Sequence, residues 1–421
     1  MTTSTLPKPA GADNAPQRPR PHPLARFGLL RDLDHPRDVL AHLTPNWYAS
    51  IMGTGIVATA AASLPLRFPG LRLFATVVWA LAALLLIGLT VATVAHWRRH
   101  PRVARGYHVD PVMAHFYGAP PMAMLTVGAG TLLLGRDAIG LDAAVGVSWA
   151  LWFAGTITGL ITAAAVPYLQ FTRHEGVDQR SAFGGWLMPV VPPMVSASTG
   201  AMLVPYAPAG QARTTLILVC YAMFGLSLIA SLIVITLIWN RLTLHKIGPA
   251  RMVPTLWIVL GPLGQSITAA NLLGGVAAQA LPGPYAHALQ AFGVVYGIPV
   301  WGFALLWASL AAAVTVKTAR DQLPFSLTWW SFTFPVGTFV TGTSGLALHT
   351  GSVMFRIAAV IFYAGLLTAW ATVAVRTARG SRRGTLFGPT AAGDGCGSPA
   401  PGPFDGPSLC RPTPPPILPR S

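Results

Sequence analysis

The sequence is poor in charged residues, and this scarcity is its first useful property. Only 10% of its 421 residues are Asp, Glu, Lys or Arg, whereas 53% are hydrophobic. Soluble globular chains carry about 25% charged residues, so the composition indicates a protein with many membrane-spanning segments.

Acidic residues are the scarcest of the charged groups. The chain has 12 Asp and Glu against 28 Lys and Arg, and no carboxylate lies clearly inside an apolar segment; Asp110 and Asp142 lie at segment edges. Proton pumps and cation transporters usually bury an ionisable carboxylate as a relay or a ligand. Its absence favours a pathway for anions.

Cysteines and enzyme motifs are also few. Cys220 lies in an apolar segment, while Cys396 and Cys410 lie in the C-terminal tail, so the three cysteines indicate no disulfide framework. No nucleophile elbow, phosphate-binding loop or metal-spaced Cys/His cluster occurs. We therefore expect no enzyme activity, no metal and no cofactor. No apolar segment precedes about residue 44, so no cleavable signal peptide is expected.

Long apolar segments dominate what remains. A hydrocarbon core of about 30 Å needs about 20 apolar residues per helix. By that measure the sequence predicts an all-α membrane protein with ten transmembrane helices, arranged as five helical hairpins in one domain over residues 44–378. The predicted spans are 44–64, 71–97, 111–135, 141–168, 184–206, 212–240, 251–278, 287–316, 326–348 and 351–376.

The first span of each predicted hairpin is interrupted by glycine and proline. Irregular backbone at membrane depth is tolerated only inside protein or beside a water-filled cavity. A half-helix N-terminus there would present partial positive charge to an anion. We therefore expect these spans to line a pore, although glycines that only pack helices together would give the same pattern. The candidate lining or kink residues are Gly53, Gly55, Pro120, Pro121, Pro192, Pro193, Gly261, Pro262, Pro335 and Gly337.

Basic residues are distributed unequally between the two sets of predicted loops. The chain has 28 Lys and Arg residues. Of these, 23 lie in the two terminal segments and in the loops on the same side of the membrane as the termini. Four lie in the opposite loops, and Arg356 lies within a span. The positive-inside rule then places both termini in the cytoplasm, so the basicity reflects topology and contact with membrane lipids rather than nucleic-acid binding. We expect residues 1–26 and the Pro/Gly-rich tail 379–421 to be disordered, and residues 27–43 to form an amphipathic cytoplasmic segment.

Few polar side chains fall inside the spans. Asn46, His115, Asn271 and Arg356 are candidate anion contacts. Asn46 and His115 could equally cap helix ends or bond neighbouring backbone. Arg356 could equally extend to the membrane interface. Tryptophans near the predicted cytoplasmic ends of the broken spans are interpreted as an interfacial belt.

Three motifs resemble one family of transporters. PNWYASIMGTGIV at 45–57, PVVPPMV at 189–195 and WWSFTFPVGTF at 329–339 are similar to the tellurite-resistance/dicarboxylate transporter family, which includes the yeast malate permease, fungal sulfite pumps and plant slow anion channels. The resemblance covers residues 40–378. It implies a quasi-five-fold arrangement of the hairpins around a central pore, and a homotrimer with a pore in each subunit. It also implies a phenylalanine gate, at Phe334 or, as the second candidate, Phe332.

Together these features predict an anion transporter or channel in the cytoplasmic membrane. Its expected substrate is a C4-dicarboxylate such as malate, or sulfite, moving through a pore lined by the odd-numbered helices. One alternative is a proton-coupled anion carrier, with His115 as the titrating group. The other is a binding or sensor protein on the same scaffold that does not transport.

Overall fold

The computed structural model describes residues 29–33 and 36–387, and this part of the chain is helical without a β-strand. Its α-helices are α1 Tyr48–Ser63, α2 Leu71–Arg99, α3 Pro101–Val109, α4 Ala119–Gly130, α5 Arg136–Ile139, α6 Leu141–Thr172, α7 Pro192–Leu203, α8 Gln211–His245, α9 Leu260–Val276, α10 Gly283–Arg320, α11 Phe334–Thr350 and α12 Val353–Arg383. Short 3-10 turns connect several of them, and a π-helical turn, Thr131–Gly135, follows α4.

The long helices α2, α6, α8, α10 and α12 are apolar on their outer faces. Each exposes large aliphatic side chains by more than half of their surface, for example Val91, Ile161, Ile229, Val295 and Ile361. Such a surface is stable only where the surroundings are themselves apolar. The shorter helices α1, α4, α7, α9 and α11 are instead mostly buried.

Prolines explain why the buried helices are short. Pro120, Pro192 and Pro335 occupy the first positions of α4, α7 and α11. Proline is well tolerated there because the first N–H groups of a helix have no partner within the helix. The segments that precede these prolines form 3-10 turns instead of α-helix. The predicted kinks are therefore helix starts, with irregular backbone before each of them.

The five short helices contact one another in a closed sequence. α1 packs against α4, α4 against α7, α7 against α9, α9 against α11, and α11 against α1. The backbones of α9 and α11 come close together, since a Cβ on Gly264 would lie 2.6 Å from the carbonyl carbon of Thr338. The long helices pack on the outside: α2 contacts α1, α6 contacts α4 and α7, α8 contacts α7 and α9, α10 contacts α9 and α11, and α12 contacts α11 and α1.

Tryptophans of the outer helices are bonded to the inner ones. Trp152 on α6 donates its indole N–H to the carbonyl of Ser196 at 2.9 Å, and Trp301 on α10 donates to Thr343 at 2.9 Å. Trp370 on α12 donates to Thr54 at 3.2 Å. Each bond satisfies a polar group away from water and fixes the register of two helices.

The tryptophans on the broken segments also differ from the predicted interfacial belt. Trp330 is buried and donates to Thr377 at 3.1 Å, and Trp47 stacks on Phe387 at 5.1 Å. Trp257 donates to Thr315 on α10 at 3.0 Å. These three side chains hold helices together inside the protein, and the belt interpretation is corrected for them.

Seven helical segments of the described chain are long and apolar enough to cross a membrane. They are Leu71–Arg99, Met113–Ile139, Leu141–Thr172, Gln211–His245, Ala250–Gln279, Gly283–Arg320 and Val353–Arg383. The protein is thus an all-α membrane protein. The three other predicted spans coincide with α1, α7 and α11, which have 16, 12 and 17 residues. The ten-span count stays a prediction.

The C-terminal boundary differs from the sequence prediction. The tail was expected from residue 379, but α12 continues to Arg383, because its final residues include good helix formers and two arginines that favour a helix C-terminus. Backbone N–H groups of Leu30 and Asp32 donate to the carbonyls of Arg382 and Arg383 at 2.6 and 2.9 Å. The predicted disordered residues 1–26, and the tail beyond 387, lie outside the described residues. In the predicted amphipathic segment, Pro36–Leu40 forms a 3-10 turn.

Candidate anion pathway

A cavity of about 870 Å³ lies among the five short helices and the start of α2. We call it the vestibule. Its walls carry many hydroxyl and amide groups, and among the described residues no carboxylate lines it. The polar lining residues that carry no full charge are Thr59, Ser63, Thr126, Ser198, Thr199, Gln265, Thr268, Asn271, Thr341, Ser344 and His349.

Helical periodicity brings these groups to one side of each helix. On α9, Gln265, Thr268 and Leu272 are spaced by three and four residues, so they share a face. The faces are joined across helices, since the hydroxyls of Thr268 and Thr341 lie 2.7 Å apart and the Gln265 amide donates to Ser198. The vestibule wall therefore carries hydrogen-bonded polar groups among a larger apolar lining.

Positive charge lies at the vestibule. Arg67, Arg72 and Arg136 all line it. Arg72 pairs with Asp137, because its Nε donates to the Asp137 carboxylate at 2.7 Å. The other oxygen of that carboxylate lies 3.8 Å from Arg136 Nε. Three arginines against one neighbouring carboxylate leave a net positive field, which attracts anions and repels cations.

A second, much smaller cavity of about 20 Å³ adjoins the vestibule, and none of the three arginines lines it. We call it the inner constriction. Its lining is almost wholly apolar, and it is built where 3-10 turns change to α-helix, so the positive dipole ends of the short helices meet at this level. The lining residues are Ala49, Met52, Phe116, Met122, Met188, Val191, Ile258, Gly261, Leu327, Trp330, Ser331, Phe334 and Pro335.

Among the residues that the structure describes, Phe334 alone lines both cavities, and its side chain is 3% exposed. It therefore lies between the vestibule and the inner constriction. Phe332, the second candidate from the sequence, packs against Trp257 and Trp329 with ring centroids 5.7 Å apart in both pairs, and lines neither cavity. The geometry distinguishes two residues that the sequence left open.

Of the other predicted lining residues, two line the inner constriction, Gly261 and Pro335. A Cβ on Gly261 would meet nothing within 4 Å, so this glycine leaves space open. Asn271, predicted as an anion contact, lines the vestibule, where its Nδ2 donates to the carbonyl of Ile267 at 2.8 Å and its buried Oδ1 has no partner among the described residues.

Three predicted lining glycines lie where helices pack closely. A Cβ on Gly53 would lie 2.7 Å from the ring of Trp330, one on Gly55 2.8 Å from Thr126, and one on Gly337 2.7 Å from Ile56. These contacts agree with the alternative interpretation, close helix packing, and a lining role for the three glycines stays a prediction.

The remaining prolines line neither cavity, and their lining role stays a prediction: Pro120, Pro121, Pro192, Pro193 and Pro262. Two of them face α6. A Cβ added at Gly159 on α6 would lie 3.6 Å from the Cβ of Pro121 and 2.8 Å from the Cβ of Pro192.

Three predicted anion contacts lie away from both cavities. Asn46 is buried and accepts a hydrogen bond from Thr44 at 2.5 Å. His115 is 1% exposed and stacks on Trp186 with ring centroids 6.1 Å apart. Arg356 is exposed near the start of α12, where its guanidinium extends outward. None of them lines the vestibule or the inner constriction, and their role as anion contacts stays a prediction.

Several pathway residues were missed by the sequence analysis. The hydroxyl residues and Gln265 recur at helical spacing on the broken spans, and that polar stripe was the available signal. It was not used because Ser and Thr also bond the backbone of their own helix, as Thr126 does to Met122 at 2.7 Å. The vestibule arginines were assigned only to loops.

Comparison with known proteins agrees with this geometry. The model of the voltage-dependent anion channel (SLAC1) family matches residues 42–378. The sulfite efflux pump SSU1 of Arthroderma otae is 27% identical over 354 residues, which cover 83% of this chain and 93% of that protein; the same pump of Trichophyton rubrum gives the same values. An uncharacterised transporter of Methanocaldococcus jannaschii is 26% identical over 367 residues, 85% of this chain and 99% of the relative.

These matches confirm the family that the three motifs indicated. The family and the relatives are channels and transporters. This agrees with a vestibule lined by arginines and polar groups and with a narrow inner constriction. The chain belongs to the voltage-dependent anion channel (SLAC1) family and is a membrane anion transporter.

Proposed function

We propose that the protein exports sulfite across the cytoplasmic membrane. The proposed route begins at the cytoplasmic side, crosses the inner constriction, passes Phe334 and leaves through the vestibule. The observation that carries it is the position of Phe334 between an apolar constriction and a polar, arginine-lined cavity. The two fungal relatives are named sulfite efflux pumps, which favours sulfite and the outward direction.

Charge and polarity support an anion as the substrate. An anion in the vestibule would meet arginine side chains and hydroxyl donors, and no carboxylate among the described lining residues. At the inner constriction the converging helix N-termini provide partial positive charge in an apolar setting, where it is least screened. A small oxyanion can exchange hydration water for hydroxyl donors along this surface.

Phe334 is proposed as the gate. The ring is buried and occupies the junction of the two cavities, so a passing anion would have to displace it. An aromatic ring also excludes water at that level, and hydrophobic constrictions gate by dewetting. Rotation of this one side chain would then connect the inner constriction with the vestibule.

C4-dicarboxylates such as malate are the second candidate substrate. The vestibule volume of about 870 Å³ has room for an anion of four carbons. The inner constriction of about 20 Å³ has no room for such an anion, so the constriction would have to open wider for a dicarboxylate than for sulfite. Relative permeation of the two anions therefore measures how far the constriction opens.

The proposed architecture is ten spans in five hairpins around this route. The closed sequence of contacts among the short helices supports it, together with the position of one long helix after each short one. The homotrimer and the cytoplasmic position of both termini stay predictions.

A panel of fluxes tests the function. Liposomes that contain the purified protein should release preloaded sulfite faster than protein-free liposomes do. The release of preloaded malate and of preloaded chloride is measured in the same way. Fast sulfite release with slow malate release is the expected result. Equal, background-level fluxes for sulfite, malate and chloride would contradict transport and favour a binding or sensor protein.

A further inference from the structure

A third cavity lies apart from the pathway. Its volume is about 230 Å³, and it shares no lining residue with the vestibule or the inner constriction. The loop between α6 and α7, the end of α8 and the 3-10 segment before α9 form its walls. Because Arg241 lines it, we call it the Arg241 pocket.

Arg241 is unusual because it is buried without a partner. The side chain is 9% exposed, and its Nε is buried with no hydrogen-bond partner in the described part of the chain. No ion pair of Arg241 with a described residue exists either. Arg356, the arginine within a predicted span, is exposed and so needs no such explanation.

The pocket is shaped around this guanidinium. Gly248 lines the pocket, and a Cβ on it would lie 2.8 Å from Arg241 Nη1. Any side chain at this position would displace the charged group. Arg180 lines the pocket from its exposed edge and adds a second positive charge.

Nearby carboxylates do not neutralise Arg241. Asp178 accepts the Ser181 hydroxyl at 3.0 Å and the Arg180 backbone N–H at 2.8 Å, and the Ser181 bond above all holds the pKa of Asp178 below its ordinary value. Asp110 accepts the backbone N–H groups of Val112 and Met113 at 2.8 and 2.7 Å. Neither carboxylate lines the pocket.

A buried charge without a partner is costly, so proteins nearly always pair it. The pocket offers several times the roughly 30 Å³ that one water molecule occupies, which leaves room for an oxyanion and its hydration. Guanidinium groups bind the oxygens of phosphate and related oxyanions in a two-point geometry.

We propose that the Arg241 pocket binds an oxyanion as the missing partner of Arg241. The oxyanion is either free in solution, such as phosphate, or the phosphate of an anionic lipid. A neighbouring groove supports the lipid source: it lies between α8 and α10, shares Ile247 and Leu256 with the pocket, and carries Lys246 and Lys317. An acyl chain in that groove would place its headgroup beside the pocket.

This site has a mechanical consequence for the pathway. Gly184 packs against Thr255, where a Cβ would lie 2.6 Å from the Thr255 carbonyl carbon. The two segments in contact here lead directly into α7 and α9 and into the inner-constriction residues Met188 and Ile258. An oxyanion bridging these segments would stabilise the arrangement that narrows the constriction.

Thermal unfolding of the purified full chain tests the proposal. Sodium phosphate is added to delipidated protein in detergent, with sodium chloride at equal ionic strength as the reference. In a second arm the protein is placed in nanodiscs of phosphatidylcholine with or without phosphatidylglycerol. The variants are Arg241→Gln and Gly248→Ala, and Arg356→Gln is the matched control.

A ligand that binds the folded state raises the unfolding temperature. We expect phosphate, phosphatidylglycerol or both to raise it in the wild type and in Arg356→Gln. Arg241→Gln should lose the rise, and Gly248→Ala should show a smaller one. A rise with phosphate identifies a free oxyanion, and a rise with phosphatidylglycerol alone identifies a lipid. The proposal is wrong if neither probe stabilises the wild type, or if Arg241→Gln keeps the full rise.

Discussion

At the residue scale, the pathway depends on side chains that donate hydrogen bonds without bringing negative charge. Gln265, Thr268 and Ser344 are buried or half-buried in the vestibule wall, and each carries a polar group within an otherwise apolar helix. A polar group that leaves water is costly unless it finds a partner. Retaining such groups beside a cavity is physically reasonable if the cavity holds water and an anion.

His115 allows the proton-coupled alternative to be tested at the residue scale. The sequence made it the leading titratable group, but its ring lies against Trp186 and Phe183 and lines neither cavity. We predict that His115→Gln keeps both its sulfite flux and any response of that flux to an imposed pH gradient. His349, which lines the vestibule, provides the comparison variant His349→Gln. Loss of the pH response in His115→Gln alone would contradict the placement.

At the element scale, the contact between α9 and α11 leaves no room for added volume at Gly264. Gly264 faces the backbone of Thr338, and a Cβ there would lie 2.6 Å from a carbonyl carbon that has no freedom to rotate away. We predict that Gly264→Ala destabilises the protein by about 1–3 kcal/mol, as overpacking does elsewhere. Thermal unfolding in detergent measures the effect.

Gly302 on α10 provides the matched control, since it lies on the outer face and a Cβ there meets nothing within 4 Å. Gly302→Ala should leave the unfolding temperature unchanged or slightly raised, because alanine favours a helix by up to about 1 kcal/mol over glycine. Equal effects of the two substitutions would show that the α9–α11 contact is looser than described.

A second prediction at this scale concerns the hydrogen bond between α6 and α7. Trp152→Phe removes the donor to the Ser196 carbonyl but keeps most of the aromatic volume. We expect a loss of about 1 kcal/mol or less, the usual range for one such bond between membrane helices. Trp149→Phe on the same helix, whose indole has no such bond among the described residues, should have a smaller effect on thermal unfolding. A larger loss in Trp149→Phe would contradict the assignment.

Elements also show how far the sequence could be interpreted. Proline marked where α4, α7 and α11 begin, because it acts on its own backbone, whereas Gly53 and Gly261 lie inside regular helix. Which face of α4 or α11 lines the vestibule depends on the neighbouring helices, so the sequence alone could not show that Gly337 packs against Ile56 and Pro121 against α6. The gate candidate Phe334 came from the family resemblance, and only its position between two cavities separates it from Phe332.

At the scale of the whole molecule, charge is arranged in two different ways. Most basic residues lie in the predicted cytoplasmic segments, where they orient the chain. A few arginines lie at the vestibule on the predicted outer side, where the same charge attracts anions. In the proposed arrangement, basic residues therefore serve both topology and the attraction of anions.

The predicted orientation can be measured with the native cysteines. Cys396 and Cys410 lie in the predicted cytoplasmic tail, and Cys220 is fully buried in α8. We expect a membrane-impermeant maleimide to leave intact cells unlabelled and to label the tail cysteines once the membrane is permeabilised. A Cys396→Ser/Cys410→Ser chain should stay unlabelled in both conditions, because Cys220 is shielded. Labelling of intact cells would place the tail outside.

The central claim is that Phe334 separates the inner constriction from the vestibule, and sulfite flux through Phe334→Ala tests it most directly. The control is Phe332→Ala, which removes an identical ring two residues away that packs on Trp257 and Trp329. We predict that the sulfite flux of Phe334→Ala is roughly tenfold or more above that of the wild type, because removing a gate that adds about 1.4 kcal/mol to the barrier speeds passage tenfold. The flux of Phe332→Ala should stay near that of the wild type. Unchanged flux in a folded Phe334→Ala protein, or a larger increase in Phe332→Ala, would contradict the account.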